Sequence, residues 1–191
     1  MSVPEPPRRG ALVELLAARS ARRGTFTLAS GRTSDFYVDC RLTTMSPDGL
    51  ILVGPLAYGL LAESGWTVDS VGGLTMGADP VSYAIAYASA LLGTPLRCFA
   101  VRKEAKGHGM GRRIEGSFQP GDRVVVIEDS MTTGGSALNA AAAIRQEGGT
   151  VIGAMTLVDR EEGARDALAA EGIPLIAFTT AAELKRLIPT H

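Results

Sequence analysis

The sequence predicts an α/β protein: a central, mostly parallel sheet with helices on both faces and a small amino-terminal hood. Three observations lead there. Short apolar runs alternate with helically spaced stretches of ten or more residues, the length that a crossover between parallel strands requires. The run RVVVI at residues 123–127 is apolar without interruption, as expected of a strand covered on both faces. The 191 residues, 46% hydrophobic and 20% charged, suffice for one domain with a core that needs no metal or disulfide.

Taken in order, Leu12, Val13, Leu15 and Leu16, followed by Arg19, Arg22 and Arg23, predict a first helix closing near Gly24. TFTLASGRTSDFYVDCR then gives two short extended segments around Ser30 and Gly31, a hairpin-like hood over about residues 24–45. Ser46 before Pro47 starts a helix that runs to Glu63, with proline at the first helical position. Strands follow at 68–71, 96–101, 123–127, 151–158 and 174–178. Helices are expected over about 80–91, 135–146 and 164–170, and a last one ends near Ile188. No internal repeat and no linker divides residues 1–191, so a single domain is expected.

The charges nearly cancel, 19 basic against 20 acidic, which implies no overall pull toward nucleic acid or a membrane. Cys40 and Cys98 sit in apolar stretches without CxxC spacing and read as reduced thiols, hence a cytoplasmic setting. The opening MSVPEPPRRG has neither the apolar core of a signal peptide nor that of a membrane anchor.

Chemistry concentrates in VVVIEDSMTTGGSAL, residues 124–138. An apolar strand runs into Glu128 and Asp129, then into small hydroxyl and glycine residues, then into an alanine-rich helix. In open α/β sheets ligands bind at the carboxyl ends of the strands, where this loop must lie. Amides of a glycine-rich turn and of a helix amino terminus cradle a phosphate monoester, and Thr132, Thr133 and Ser136 can add hydroxyl donors. Two acids beside a phosphate need a cationic or hydroxyl-bearing neighbour; a ribose offering its 2- and 3-hydroxyls, bridged by Mg2+, satisfies both. A plain tight turn with solvated acids would need far fewer special residues. GxxxxGK[ST] occurs nowhere, and MTTGGS lacks the spacing of a dinucleotide fingerprint.

The stretch resembles the phosphoribosyl pyrophosphate motif of type I phosphoribosyltransferases. The resemblance implies that fold, and that Glu128, Asp129, Ser130, Met131, Thr132, Thr133, Gly134, Gly135 and Ser136 bind the activated ribose. A second segment, VRKEAKGHGMGRRIEG at residues 101–116, carries Arg102, Lys103, Lys106 and His108 among glycines. Too polar to pack a core, it is expected to be a mobile loop over about 102–116. Its order R-K-x-x-K-x-H-G is similar to the catalytic loop of orotate phosphoribosyltransferases, which closes over the pyrophosphate and reaches into the partner subunit's site. A homodimer is therefore implied.

Two further segments agree with that family. TFTLASGRTSDFYVDCR is similar to the family's hood and LVDREEGA resembles its DRxEGA stretch, which implies that Tyr37 lies against the base, that Arg160 grips the orotate carboxylate and that Thr132 is also near the base. The other reading of Arg160 is a surface ion pair with a neighbouring acid. Ala29 stands where some members have lysine, Met76 and Gly77 where some have a Tyr-Lys pair, and Glu128 where aspartate is commoner. Residues 74–78 are accordingly expected to bind pyrophosphate through backbone N–H groups.

The resemblance implies transfer of ribose 5-phosphate from phosphoribosyl pyrophosphate to orotate in pyrimidine biosynthesis. Lys106, Lys103, Arg102 and His108 would stabilise charge on the departing oxygens, Lys106 foremost, with Mg2+ bound mainly through substrate. His108 either donates a proton to pyrophosphate or only a hydrogen bond. A regulatory protein of the same fold would lack the complete basic loop and show a basic face; a purine-specific relative would have little use for Arg160. Within 191 residues no decarboxylase is expected, which makes a separate orotidine monophosphate decarboxylase a candidate partner. Neither nucleic acid nor membrane is expected to bind.

Overall fold

The structure is a computed structural model that describes residues 8–27, 33–104 and 113–189. Helix α1 (Arg9–Leu15) continues through one π-helical turn, Leu16–Ser20, and buries Leu12, Val13, Leu16 and Ala17. It stops at Ser20 rather than near Gly24. Arg22 and Arg23 belong instead to strand β1 (Ala21–Thr27), antiparallel to β2 (Thr33–Val38), with Ala21 opposite Val38 and Arg23 opposite Phe36. Arginine has good helix propensity, but β2 alternates buried Phe36 and Val38 with exposed Tyr37 and supplies a partner edge that propensity cannot anticipate. This two-stranded ribbon is the expected hood.

A four-residue helix, α2 (Arg41–Thr44), too short to show a period, leads to α3 (Pro47–Glu63). The predicted start of α3 holds: the Ser46 hydroxyl accepts from the Gly49 amide at 3.2 Å, with Pro47 at the first helical position. Then come β3 (Ser70–Leu74), α4 (Ala78–Leu91), β4 (Arg97–Val101), β5 (Ile114–Gly116), β6 (Arg123–Met131), α5 (Gly135–Gln146), β7 (Thr150–Asp159), α6 (Ala164–Ala170), β8 (Leu175–Thr180) and α7 (Ala181–Leu187).

The six-stranded sheet has the order β5-β4-β3-β6-β7-β8. Every pair is parallel except β4 with β5. Alternate residues of β6 enter opposite cores. Val125 and Ile127 join α1, α3 and α4 on one face; Val124 and Val126 meet the alanines of α5 and Leu168 of α6 on the other.

Three strands differ from expectation. β3 (Ser70–Leu74) lies later than residues 68–71, because Gly72 and Gly73 pair with Phe99 and Ala100 of β4. β5 occupies the end of the expected loop 102–116, and buried Ile114 anchors it against β4. β6 runs through the acids to Met131, because β7 is long enough to pair with it as far as Asp159.

Candidate active site

At the carboxyl ends of β3 and β6 opens a cleft of about 760 Å³, lined by residues 37–41, 74–78, 102, 103, 128–130 and 136. The extension of β6 sets Glu128 and Asp129 on its floor. Burial pushes the Glu128 carboxyl up to about 7, the neighbouring Asp129 charge adds to the effect, and a hydrogen bond from Ser136 opposes it. Burial also raises Asp129, restrained by the Ser130 amide, which donates to it at 2.9 Å. Among the described residues Glu128 Oε2 is buried without a hydrogen-bond partner. Two adjacent desolvated carboxylates favour a cation or a set of hydroxyl donors beside them.

Beyond the acids the chain turns into α5 through Gly134, whose φ of 81° is left-handed and suits glycine. The loop is strapped to the turn after β7, since Arg160 N donates to Met131 O at 2.8 Å and Ala164 N to Thr132 O at 3.1 Å. Thr132, Thr133, Gly135 and Ser136 are exposed, and the first amides of α5 have no intrahelical acceptors. Phosphate-cradle geometry is thus in place. Met131 buries its side chain in the core, so it can offer a ligand only its main chain. Ser136 does more than expected, because its hydroxyl also serves Glu128.

Residues 74–78 form the opposite wall. Gly77 abuts Asp129, where a Cβ would lie 2.4 Å from Oδ1, and the Thr75 hydroxyl donates to Asp79 at 2.6 Å. A longer residue at position 77 would have to move the Asp129 carboxylate. Met76 is exposed and lines the cleft.

Arg102 and Lys103 sit at the lip after β4. Arg102 pairs with Glu115 at 3.1 Å, and the Arg113 guanidinium donates to Arg102 O at 3.1 Å and to Asn139 Oδ1 at 2.7 Å. These contacts fix the base from which the basic segment departs. Lys106 and His108 lie outside the described residues, as does Ala29. Tyr37 lines the cleft, its ring 5.4 Å from that of Phe26.

Arg160 is not brought together with the acids. It lines a separate polar hollow of about 420 Å³ with Asp35, Glu162 and Lys185. Its side chain is only 8% exposed, pairs with Glu162 at 3.1 Å, donates to the Phe36 carbonyl at 3.2 Å and lies over the Phe36 ring. An ion pair with a neighbouring acid is therefore present, though buried rather than on the surface. Sequence reasoning missed Asp39 and Arg41, which line the cleft as a two-pronged pair, Nε to Oδ1 at 2.8 Å and Nη2 to Oδ2 at 2.9 Å. The signal was there: an acid and an arginine two apart, directly after Tyr37 in YVDCR.

No protein-family model matches the chain. It is 48% identical over 179 residues to the orotate phosphoribosyltransferase of Aquifex aeolicus, covering 92% of this chain and 97% of that protein. The crystal structure of the Mycobacterium tuberculosis orotate phosphoribosyltransferase in complex with 5-phospho-α-D-ribosyl 1-diphosphate superposes with a TM-score of 0.80 at 42% identity, covering 94% of this chain and 99% of that one. The UMP synthase of Leishmania donovani superposes with a TM-score of 0.76 at 31% identity, over 93% of this chain but 37% of that one.

Proposed function

The chain belongs to the orotate phosphoribosyltransferase family, with its type I phosphoribosyltransferase fold, and from that premise we propose how its cleft transfers ribose 5-phosphate to orotate. The products are orotidine 5'-monophosphate and pyrophosphate. The observation that carries the reading is the tandem of half-buried acids on β6, in one cleft with Tyr37, residues 74–78 and Ser136 from the first turn of α5.

Forming the bond from the pyrimidine nitrogen to C1 while pyrophosphate departs puts positive charge on the sugar and negative charge on the leaving oxygens. Glu128 and Asp129, against the ribose hydroxyls, stabilise the first. Arg102 and Lys103, joined by Lys106 and His108, stabilise the second. Residues 132–136 hold the 5-phosphate through amides and hydroxyls, and Tyr37 lies against the base. Such preorganised charge is usually the largest catalytic contribution, on the order of 3 kcal/mol for one well-aimed group. Both contacts of Arg160, with Glu162 and with the Phe36 carbonyl, use Nη2, and its Nε is buried without a hydrogen-bond partner among the described residues, so donors remain for the orotate carboxylate.

The acids suit Mg2+, a hard cation that takes oxygen ligands, and the unpartnered Glu128 oxygen fits that role. In this reading the ion is held chiefly through substrate. When bound it supplies positive charge beside the diphosphate.

A homodimer that shares its basic loops between subunits is part of the proposal. The groove between α3 and α4 supports it: Ile51, Tyr87 and Leu91 are each about 70% exposed there, more apolar side chain than a solvated helix pair ordinarily shows. Association with an orotidine monophosphate decarboxylase is also part of the proposal, because that enzyme consumes the product of this reaction. The two free cysteines favour the cytoplasm.

The test is direct. Mixing the protein with Mg2+, phosphoribosyl pyrophosphate and orotate, adenine or hypoxanthine, and following absorbance, is expected to consume orotate alone. Consumption of a purine, or of no base, refutes the assignment. Sedimentation velocity on the same preparation reads the dimer.

A further inference from the structure

We propose that Arg41, held in place by Asp39, is a further binding residue for the diphosphate of the activated ribose. The inference rests on the reading of the cleft given above. It begins from a deficit of charge: residues 75–77 are Thr, Met and Gly, so the wall beside the leaving group carries no cationic side chain. Among the described residues the cations that line the cleft are Arg41, Arg102 and Lys103. Arg102 and Lys103 stand together at the lip after β4, and Arg102 is engaged by Glu115. Arg41 comes from α2, which packs against α4, the helix that follows residues 74–77.

The acid on β6 connects the parts. Asp129 abuts Gly77, and the Arg41 guanidinium exerts its field on Asp129. Arginine, acid and loop thus line one cleft. Asp39 takes up Nε and one Nη donor, and its other contact is the Arg41 backbone amide at 3.1 Å. A guanidinium has five N–H donors in a rigid fork, so three remain. An arginine clamped on one edge and open on the other loses little freedom when it binds, and its fork matches phosphate oxygens.

Lysine in the loop would give a relative the same charge from the other wall. Here position 77 is glycine, where a Cβ would displace the Asp129 carboxylate, and the charge comes from across the cleft. Orotate carries an anion too, but the lack of a cationic side chain at residues 75–77, in the same cleft, points to the diphosphate.

Calorimetric titration of the full chain with inorganic pyrophosphate and Mg2+, and separately with orotidine 5'-monophosphate, tests this. R41Q is expected to weaken pyrophosphate by roughly 10- to 100-fold, the loss of charge-assisted hydrogen bonds. The KM for phosphoribosyl pyrophosphate should rise in step, while the nucleotide, which has no diphosphate, binds as before and the melting temperature stays put. R41K should recover part of the loss. D39N, which frees the guanidinium without removing it, should show a smaller defect of the same kind. Unchanged pyrophosphate affinity in R41Q overturns the proposal, as does an equal loss of nucleotide affinity, which would mean a structural role or a carboxylate contact. Pyrophosphate binding is read without turnover, so a parent chain inactive on orotate would sink the proposed reaction and leave this result standing.

Discussion

The two halves of β6 make opposite uses of one strand. Residues 124–127 are at most 1% exposed and fill both cores of the sheet. Residues 128–130, on the same ladder with β7, hold two acids whose charged forms burial disfavours. The lower half stabilises the fold by removing apolar area from water, at about 25 cal/mol per Å². The upper half spends part of that stability on carboxylates that await a partner. Adjacency is the point: a rigid strand with its hydrogen bonds made can hold a destabilised pair in fixed geometry, which a loop could not.

The contrast can be broken most forcefully from below. Ile127→Ala, in the first core, is expected to cost about 2–5 kcal/mol of stability through lost contacts and a cavity. The denaturant midpoint would report it, and a loss below 1 kcal/mol would show that the core closes over the gap. From above, Asp129→Asn should act in reverse: kcat/KM falls roughly 100- to 1,000-fold, about 3–4 kcal/mol in the barrier, while the melting temperature holds or rises. A variant that loses activity only as far as it unfolds would erase the division between the halves.

The smallest and sharpest effect concerns pH. Glu128 has a folded pKa raised from 4.5 to about 7, so between those values the folded state binds the proton that the unfolded state has released. Stability contributed by the neutral carboxyl is therefore full below about 4.5 and is lost as pH rises toward and through 7. Glu128→Gln, neutral throughout, should match the parent chain at pH 4 and become more stable above pH 7, by about 1–3 kcal/mol. Melting curves across that range measure the gap; a constant difference would refute the assigned titration.

Much of this was legible in the chain. The periods of 2 and 3.6, the Ser46 cap and the run into EDSMTTGGS are local, and local chemistry reads out in order. α5 and α6 begin and end as their sequences say. Failures fell where a distant segment decided the outcome. Arg22 and Arg23 left the helix because β2 offered an edge, Gly72 and Gly73 are strand because β4 pairs with them, and the acids stayed in β6 because β7 runs beside them.

The arginines show the same limit within the site. Sequence similarity singled out Arg160, whose guanidinium faces Glu162 and the Phe36 carbonyl; proximity to Tyr37 alone marked Arg41, which lines the cleft with Asp39. The sequence by itself determined that an acid pair would sit at the end of a buried strand, next to a phosphate cradle, because strand, turn and helix are consecutive in the chain. Only the tertiary structure decided which cations look into that cleft. Where a long side chain points depends on neighbours brought together by folding from elements far apart in the sequence.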